Sequence, residues 1–213
     1  PSFTLSFLGV KALVSAFFLL EGYLIYRIAK DLFPSEALKR SAFFLLNPLL
    51  LMETVVIGHN DSVMMSLALL SFLIFSHKTL KPVVRYNLAL LTFSASVFIK
   101  YATIVLLPLF WLKSKTKIDV YTVGGLALLA ILFTRPGQLH SWYLHWGMAL
   151  LVLSRFTWAR ILVVLLTIGG LLRYIPFIYY GNWDPPVPLL RWIILLVPFA
   201  LLIIKPVRRL GKV

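Results

Sequence analysis

An all-α, polytopic membrane protein is what this sequence predicts, and three observations predict it. Hydrophobic residues make up 61 % of the 213-residue chain, above the range of soluble domains. Apolar runs approaching the length of a bilayer crossing recur from one end to the other. Lys and Arg, 21 residues against seven acids, sit in short clusters between those runs. The net charge of +14 therefore belongs to loops facing a negative inner leaflet, and a nucleic-acid partner is rejected. The absence of Cys excludes disulfides and thiolate metal sites.

Charge parity orders the elements. The basic clusters are Arg27/Lys30/Lys39/Arg40, Lys78/Lys81/Arg85, Lys113/Lys115/Lys117, Arg155/Arg160 and Lys205/Arg208/Arg209/Lys212. If all are cytoplasmic, each interval between them crosses the membrane an even number of times. Leu5–Ala29 then runs inward from an external Pro1. Ser41–Ile57 goes out and Ser62–Phe75 returns. The long run Tyr86–Trp111 breaks parity unless it is interrupted, and Lys100 near its middle marks the interruption. Ile118–Phe133 goes out, Trp142–Leu153 returns, Ile161–Tyr180 goes out and Pro188–Ile204 returns. The expectation is a single transmembrane domain over 1–213 with about nine membrane helices. Several are shorter than the roughly 20 residues a crossing needs. Their external ends would therefore stop below the surface, in a protein-lined recess. No cleavable signal is visible, because the apolar runs continue past the first one. Pro1 lies inside a run already becoming helical, so upstream sequence is expected to precede it.

This topology gathers the polar chemistry on the external side: Gly58-His59-Asn60-Asp61, then Lys100-Tyr101, then Arg135 to Trp146, then Gly181 to Pro186. Ionisable groups at membrane depth are costly and mark function or buried pairing. Asp61 is the tentative catalytic residue, with His59 and Asn60 beside it. The plainer reading is that Asp61 caps the following helix. Glu53 lies about two turns deeper, where it lines the lower wall of the recess or pairs with Lys11 or Lys100. Lys100 either meets a phosphate as a point charge or snorkels to the headgroups. Tyr101 would add a hydroxyl and Arg135 a charge for an anionic donor. Trp142, Tyr143 and Trp146 stack on sugar or belong to the interfacial aromatic belt. His140 and His145 are five apart, the wrong spacing for two metal ligands on one helix face, so no metal and no cofactor are expected. Glu21 and Lys11 should find structural partners on neighbouring helices.

Three stretches, NPLLLMETVVIGHNDSVMM, SVFIKYATIVLLPLFWL and HSWYLHW, occur in the order seen in polytopic glycosyltransferases of the C-type superfamily. The chain most resembles the bacterial polyprenyl-phosphate-sugar-dependent branch, which includes mannosyl- and arabinofuranosyl-transferases, over roughly Leu5 to Trp146. The resemblance implies inverting transfer of a sugar, mannose or similar, from a polyprenyl-phosphate donor to a lipid or glycan acceptor. The active face would be extracytoplasmic in the plasma membrane, among membrane lipids. It further implies a catalytic Asp in a first external loop that nothing here matches, so the general base is expected upstream of Pro1. It supports Lys100 at the donor's phosphate; beside it, Glu53, His59, Asn60, Tyr101, Arg135, His140, Trp142 and Tyr143 are the expected substrate-binding residues. A transporter or flippase, and a truncated non-catalytic relative, are the alternatives. The first predicts internal repeats with paired broken helices.

Overall fold

The computed structural model describes residues 2–115, 118–134 and 140–204, and every element among them is helical. The described residues divide into two compact units after Arg160.

The first unit opens with α1 (Phe3–Leu32), capped by Ser2, whose side chain accepts the Leu5 N–H. After α2 (Ala37–Leu45) the chain reaches Asn47-Pro48. Pro48 has no N–H to continue the helix and pushes Asn47 into an extended conformation. The Asn47 side chain then caps a new helix, accepting the N–H groups of Leu49 and Leu50 at 3.1 and 3.2 Å. This is α3 (Pro48–Leu50), which runs on as a π-helical turn over Leu51–Ile57. The single helix expected over Ser41–Ile57 is thus two, bent by 45°. Next come α4 (Asp61–Ser76) and α5 (Pro82–Ile99). Lys100 is extended, at φ −151° and ψ 125°, and a 3-10 turn, Tyr101–Leu106, leads into α6 (Leu107–Lys115). The expected interruption at Lys100 is therefore present. α7 (Val120–Phe133), a 3-10 turn at Ser141–Tyr143 and α8 (Leu144–Leu151) complete the unit.

In a bilayer apolar burial drives helix association only weakly, so small residues and interhelical hydrogen bonds matter more. Four serines do this here. Ser41 donates from α2 to the Gly22 carbonyl of α1 at 2.8 Å. Ser62 and Ser66 tie α4 to α1 through the carbonyls of Val14 and Phe17, and Ser96 ties α5 to the Met64 carbonyl at 2.8 Å. α7 and α8 meet through glycines: a Cβ on Gly147 would lie 2.9 Å from the Gly125 carbonyl and inside the Leu129 side chain. Backbone cannot yield as a rotamer can. Gly147→Ala should therefore destabilise by about 1–3 kcal/mol, measured as melting in detergent.

The far end of α8 is held by Arg40. Placed by the sequence in a cytoplasmic loop cluster, Arg40 is instead buried in α2. It donates to the carbonyls of Val152 and Ser154 at 2.9 and 2.6 Å, which lie just past α8. Its Nε and Nη2 bind the Glu36 carboxylate, and the ring of Phe33 lies 3.8 Å beneath the guanidinium. Those hydrogen bonds hold the Glu36 carboxyl below its ordinary value. Asp119 caps α7 by accepting from Tyr121 and Thr122, and also accepts the Arg155 N–H at 2.9 Å.

α9 (Thr157–Leu172) leads into the second unit, which continues through α10 (Ile175–Tyr180) and α11 (Val187–Ile204). The helix expected over Ile161–Tyr180 is interrupted at Arg173-Tyr174, two residues before Pro176. Gly169 lets α9 approach the backbone of α11 at Leu195.

Among the described residues, length and composition qualify three helices to cross a membrane, Phe3–Leu32, Pro82–Ile99 and Thr157–Tyr180, or four with the bent pair at Asn47. That is fewer than the nine expected: Asp61–Ser76, Tyr101–Phe110, Val120–Leu132 and Val187–Ala200 are apolar but short, and the expected crossing Trp142–Leu153 holds part of a 3-10 turn and the eight-residue α8. Large apolar side chains, Phe3, Phe98 and Tyr179 among them, lie exposed along the helices, as a lipid-facing surface requires.

Candidate functional site

The site is built where three helices stop. The π-helical turn ends at Gly58, whose φ of +98° is the left-handed conformation that glycine adopts without a Cβ penalty. The N–H groups of Gly58 and His59 both bond to the Glu53 carbonyl, at 3.2 and 3.1 Å. Widened helical turns of this kind recur at functional sites. Glu53 is buried, with its carboxylate 3.6 Å from His59 Nε2. The lysines proposed as its partners are engaged elsewhere: Lys11 donates to the Val56 carbonyl and Lys100 to Asp61.

Asp61 begins α4 but does not cap it. Asn60 holds the cap position, is exposed, and makes no side-chain capping bond. The Asp61 carboxylate points instead into the protein, with its side chain 1 % exposed. Its Oδ1 accepts from Lys100 Nζ at 2.7 Å and from the Trp146 indole N–H. Its Oδ2 is buried and meets no donor among the described residues. The carboxylate also sits in the first turn of α4, where free N–H groups favour negative charge.

Lys100 reaches this carboxylate because α5 ends beside it. The side chain keeps 25 % of its surface exposed, and the ammonium lies 5.4 Å from the ring centre of Tyr143 and 5.8 Å from that of Trp146. A cavity of about 550 Å³ opens here, lined by Lys100, Tyr101, Ile131, Leu132, Tyr143 and Trp146, among others. Its wall is mainly apolar, and among the described residues Lys100 is the charged group on it. A volume of this size suits a small organic ligand. Tyr101 is exposed on this wall, as a donor-binding role for its hydroxyl would require.

Behind Asp61 lies a second pair. His145 precedes Trp146 on α8 and projects to another side of the helix. Its Nε2 stands 2.8 and 3.0 Å from the two carboxylate oxygens of Glu21, and its Nδ1 is 3.3 Å from Thr54 Oγ1. Glu21 is 0 % and His145 1 % exposed, enclosed by the rings of Phe18 and Phe44. Asp61 is close enough to act electrostatically on both. Glu21 thus has the structural partner expected of it, on a helix 124 residues away. Sequence reasoning left His145 out of the site and gave Trp146 as a sugar-stacking or belt residue, not as a donor to Asp61. The signal was their adjacency: neighbouring residues on a helix diverge by about 100°, so each serves a different carboxylate.

Trp142 packs against two imidazoles. His59 stacks on it at 4.0 Å and His140 at 4.2 Å, both nearly parallel to the indole. Burial pushes the His59 imidazole below its ordinary value, against the pull of Asp61, so this face is neutral near pH 7. Between that lowered value and 6.5 the unfolded chain binds more protons, so His59 adds stability as pH rises. Tyr143 presents its ring to Lys100 and the cavity. Arg135 lies outside the described residues.

The arrangement can hold an anion. The Lys100 ammonium has three N–H groups, of which the Asp61 bond uses one. Asp61 and two aromatic faces fix its position, while its exposed portion looks into an apolar space.

A family model described as the N-terminal domain of alpha-(1->6)-mannopyranosyltransferases matches residues 2–115, more than half of the chain. No curated protein and no solved structure matches.

Proposed function

As the chain belongs to the alpha-(1->6)-mannopyranosyltransferase family, we propose that its cavity takes a mannosyl donor whose leaving group is a polyprenyl phosphate. The observation that carries this reading is a lysine held by a buried carboxylate at the mouth of an apolar space of about 550 Å³. A sugar nucleotide would ask for polar contacts to base and ribose, whereas an isoprenoid asks for an apolar wall beside a single cation.

The acceptor's hydroxyl oxygen attacks the anomeric carbon of mannose. The bond from that carbon to the phosphate oxygen breaks, and the phosphate leaves with the electron pair. Charge grows on the departing oxygen, and a fixed cation stabilises it more in the transition state than in the ground state. Lys100 fills that role. A base must come within about 2.6–3.2 Å of the hydroxyl it deprotonates. Asp61 is buried behind Lys100, which favours positioning of the lysine over proton abstraction. The base is then another carboxylate, as the superfamily resemblance implies.

The protein is read as a single membrane domain of about nine crossings, with the short helices ending in a recess on the extracytoplasmic face of the plasma membrane. The acceptor is a lipid or glycan on that face. In liposomes supplied with membrane extract, labelled polyprenyl-phosphate mannose should yield labelled product and nucleotide-linked mannose should not. Turnover of the nucleotide sugar alone would remove the donor assignment. A flippase would instead move lipid across proteoliposomes without forming a new glycosidic bond.

A further inference from the structure

In the second unit two arginines, Arg173 buried and Arg191 partly buried, carry side-chain nitrogens that meet no acceptor among the described residues. Arg173 stands at the interruption between α9 and α10, within an apolar segment of 24 residues, Thr157–Tyr180. The interruption has a local cause: Pro176 has no N–H, so the Leu172 carbonyl loses its helical donor. Arg173 is 3 % exposed, and its Nε and Nη1 meet no acceptor among the described residues. Arg191, on α11, also has a buried Nε without an acceptor there. The two guanidinium groups are near enough to repel each other. The only acid in residues 161–213 is Asp184. It is exposed in the turn before α11 and forms no ion pair with either arginine among the described residues.

Two like charges brought together in an apolar unit, with donors unmet, are costly unless an anion joins them. Aromatic rings frame the place: the Arg173 guanidinium lies 5.8 Å from the ring centre of Trp192, and that of Arg191 lies 4.5 Å from that of Trp183. Trp183 is half exposed and stacks on Phe177 at 4.1 Å. Half-exposed indoles mark the headgroup level of a bilayer. An arginine fork with open donors matches phosphate oxygens, and an anion reaching this depth is carried in on an apolar tail.

We propose that Arg173 and Arg191 form a binding site for the phosphate group of a membrane lipid, separate from the Lys100 cavity. The site is independent of which donor that cavity takes. Its chemistry is shared by anionic glycerophospholipids and polyprenyl phosphates.

The test uses the full chain in phosphatidylcholine nanodiscs doped with either phosphatidylglycerol or a polyprenyl phosphate. A third set contains phosphatidylcholine with inorganic phosphate in the buffer. Retained lipid is counted by native mass spectrometry after detergent extraction, and melting is followed in each set. The wild-type chain should retain one anionic species at least tenfold over phosphatidylcholine, and that species identifies the source. Arg173→Gln/Arg191→Gln should lose the retention. If the double variant does not fold, Arg191→Gln alone decides, since this residue is only partly buried and its variant should fold with an unchanged helical spectrum. Equal retention in a folded variant would overturn the site, as would no preference over phosphatidylcholine. Protection by inorganic phosphate as strong as by lipid would overturn the lipid assignment.

Discussion

Lys100→Met should lower mannosyl transfer about 10²–10³-fold, the loss typical when one preorganised donor to a developing anion is removed. It should also destabilise the fold, because Asp61 is left buried with only an indole N–H for company. Removing one member of a buried ion pair costs about 3–5 kcal/mol, and the partial exposure of Lys100 places this case at the lower end. The two effects separate in a cycle. Asp61→Asn/Lys100→Met carries no stranded charge, so it should melt above Lys100→Met alone while remaining as inactive. Lys100→Arg should keep the melting temperature and part of the activity, since a guanidinium supplies charge with a different shape. Transfer assays and melting of these variants, of Asp61→Asn and of the wild type in one detergent read the whole cycle. A Lys100→Met protein with wild-type turnover would end the leaving-group role. A double variant no more stable than the single one would end the ion-pair account.

Breaking the pair behind it should weigh most on stability. Glu21→Leu leaves His145 in a pocket without its acceptor, and His145→Leu leaves Glu21 without its donor. Both residues are sealed from solvent, and the rings of Phe18 and Phe44 pack on His145. Each change should therefore cost about 3–5 kcal/mol. Glu21→Gln keeps an acceptor oxygen and should cost only about 1–2 kcal/mol, the scale of a weakened hydrogen bond. Chemical denaturation in mixed micelles ranks the three. Identical midpoints for Glu21→Leu and Glu21→Gln would mean that the carboxylate does not hold α1 to α8. Transfer should fall alongside stability, because α8 also carries the Trp146 indole that fixes Asp61.

What the sequence showed and what it hid follow from distance along the chain. The interruption at Lys100 was legible, because a cation in the middle of an apolar run too long for charge parity is a local signal. So was the turn at Gly58, where a glycine precedes a cluster of polar residues. The lysine-aspartate contact spans 39 residues and the Glu21–His145 contact 124. Spacing carries no information at such range, so Asp61 read equally well as a cap. Arg40 was read with its neighbours as a loop charge. Nothing in the local pattern says that two carbonyls wait for it past α8. Trp142 read as a sugar-stacking or belt residue, because the sequence cannot show that the imidazoles of His59 and His140 stack on it. The count of nine crossings is not confirmed: among the described residues three helices, or four with the bent pair, are long enough, and the others are apolar but short.

Helix α8 is fastened at one end through His145 and Trp146 and just past the other through the carbonyls that Arg40 grips. It therefore works as a ruler. Inserting or deleting one residue between Leu144 and Leu151 would turn one anchor by about 100° against the other and shift it by about 1.5 Å. No rotamer repairs both errors at once. Among relatives that use the same two anchors, the interval from the indole to Arg40's carbonyls should hold its residue count even where the apolar letters within it drift freely.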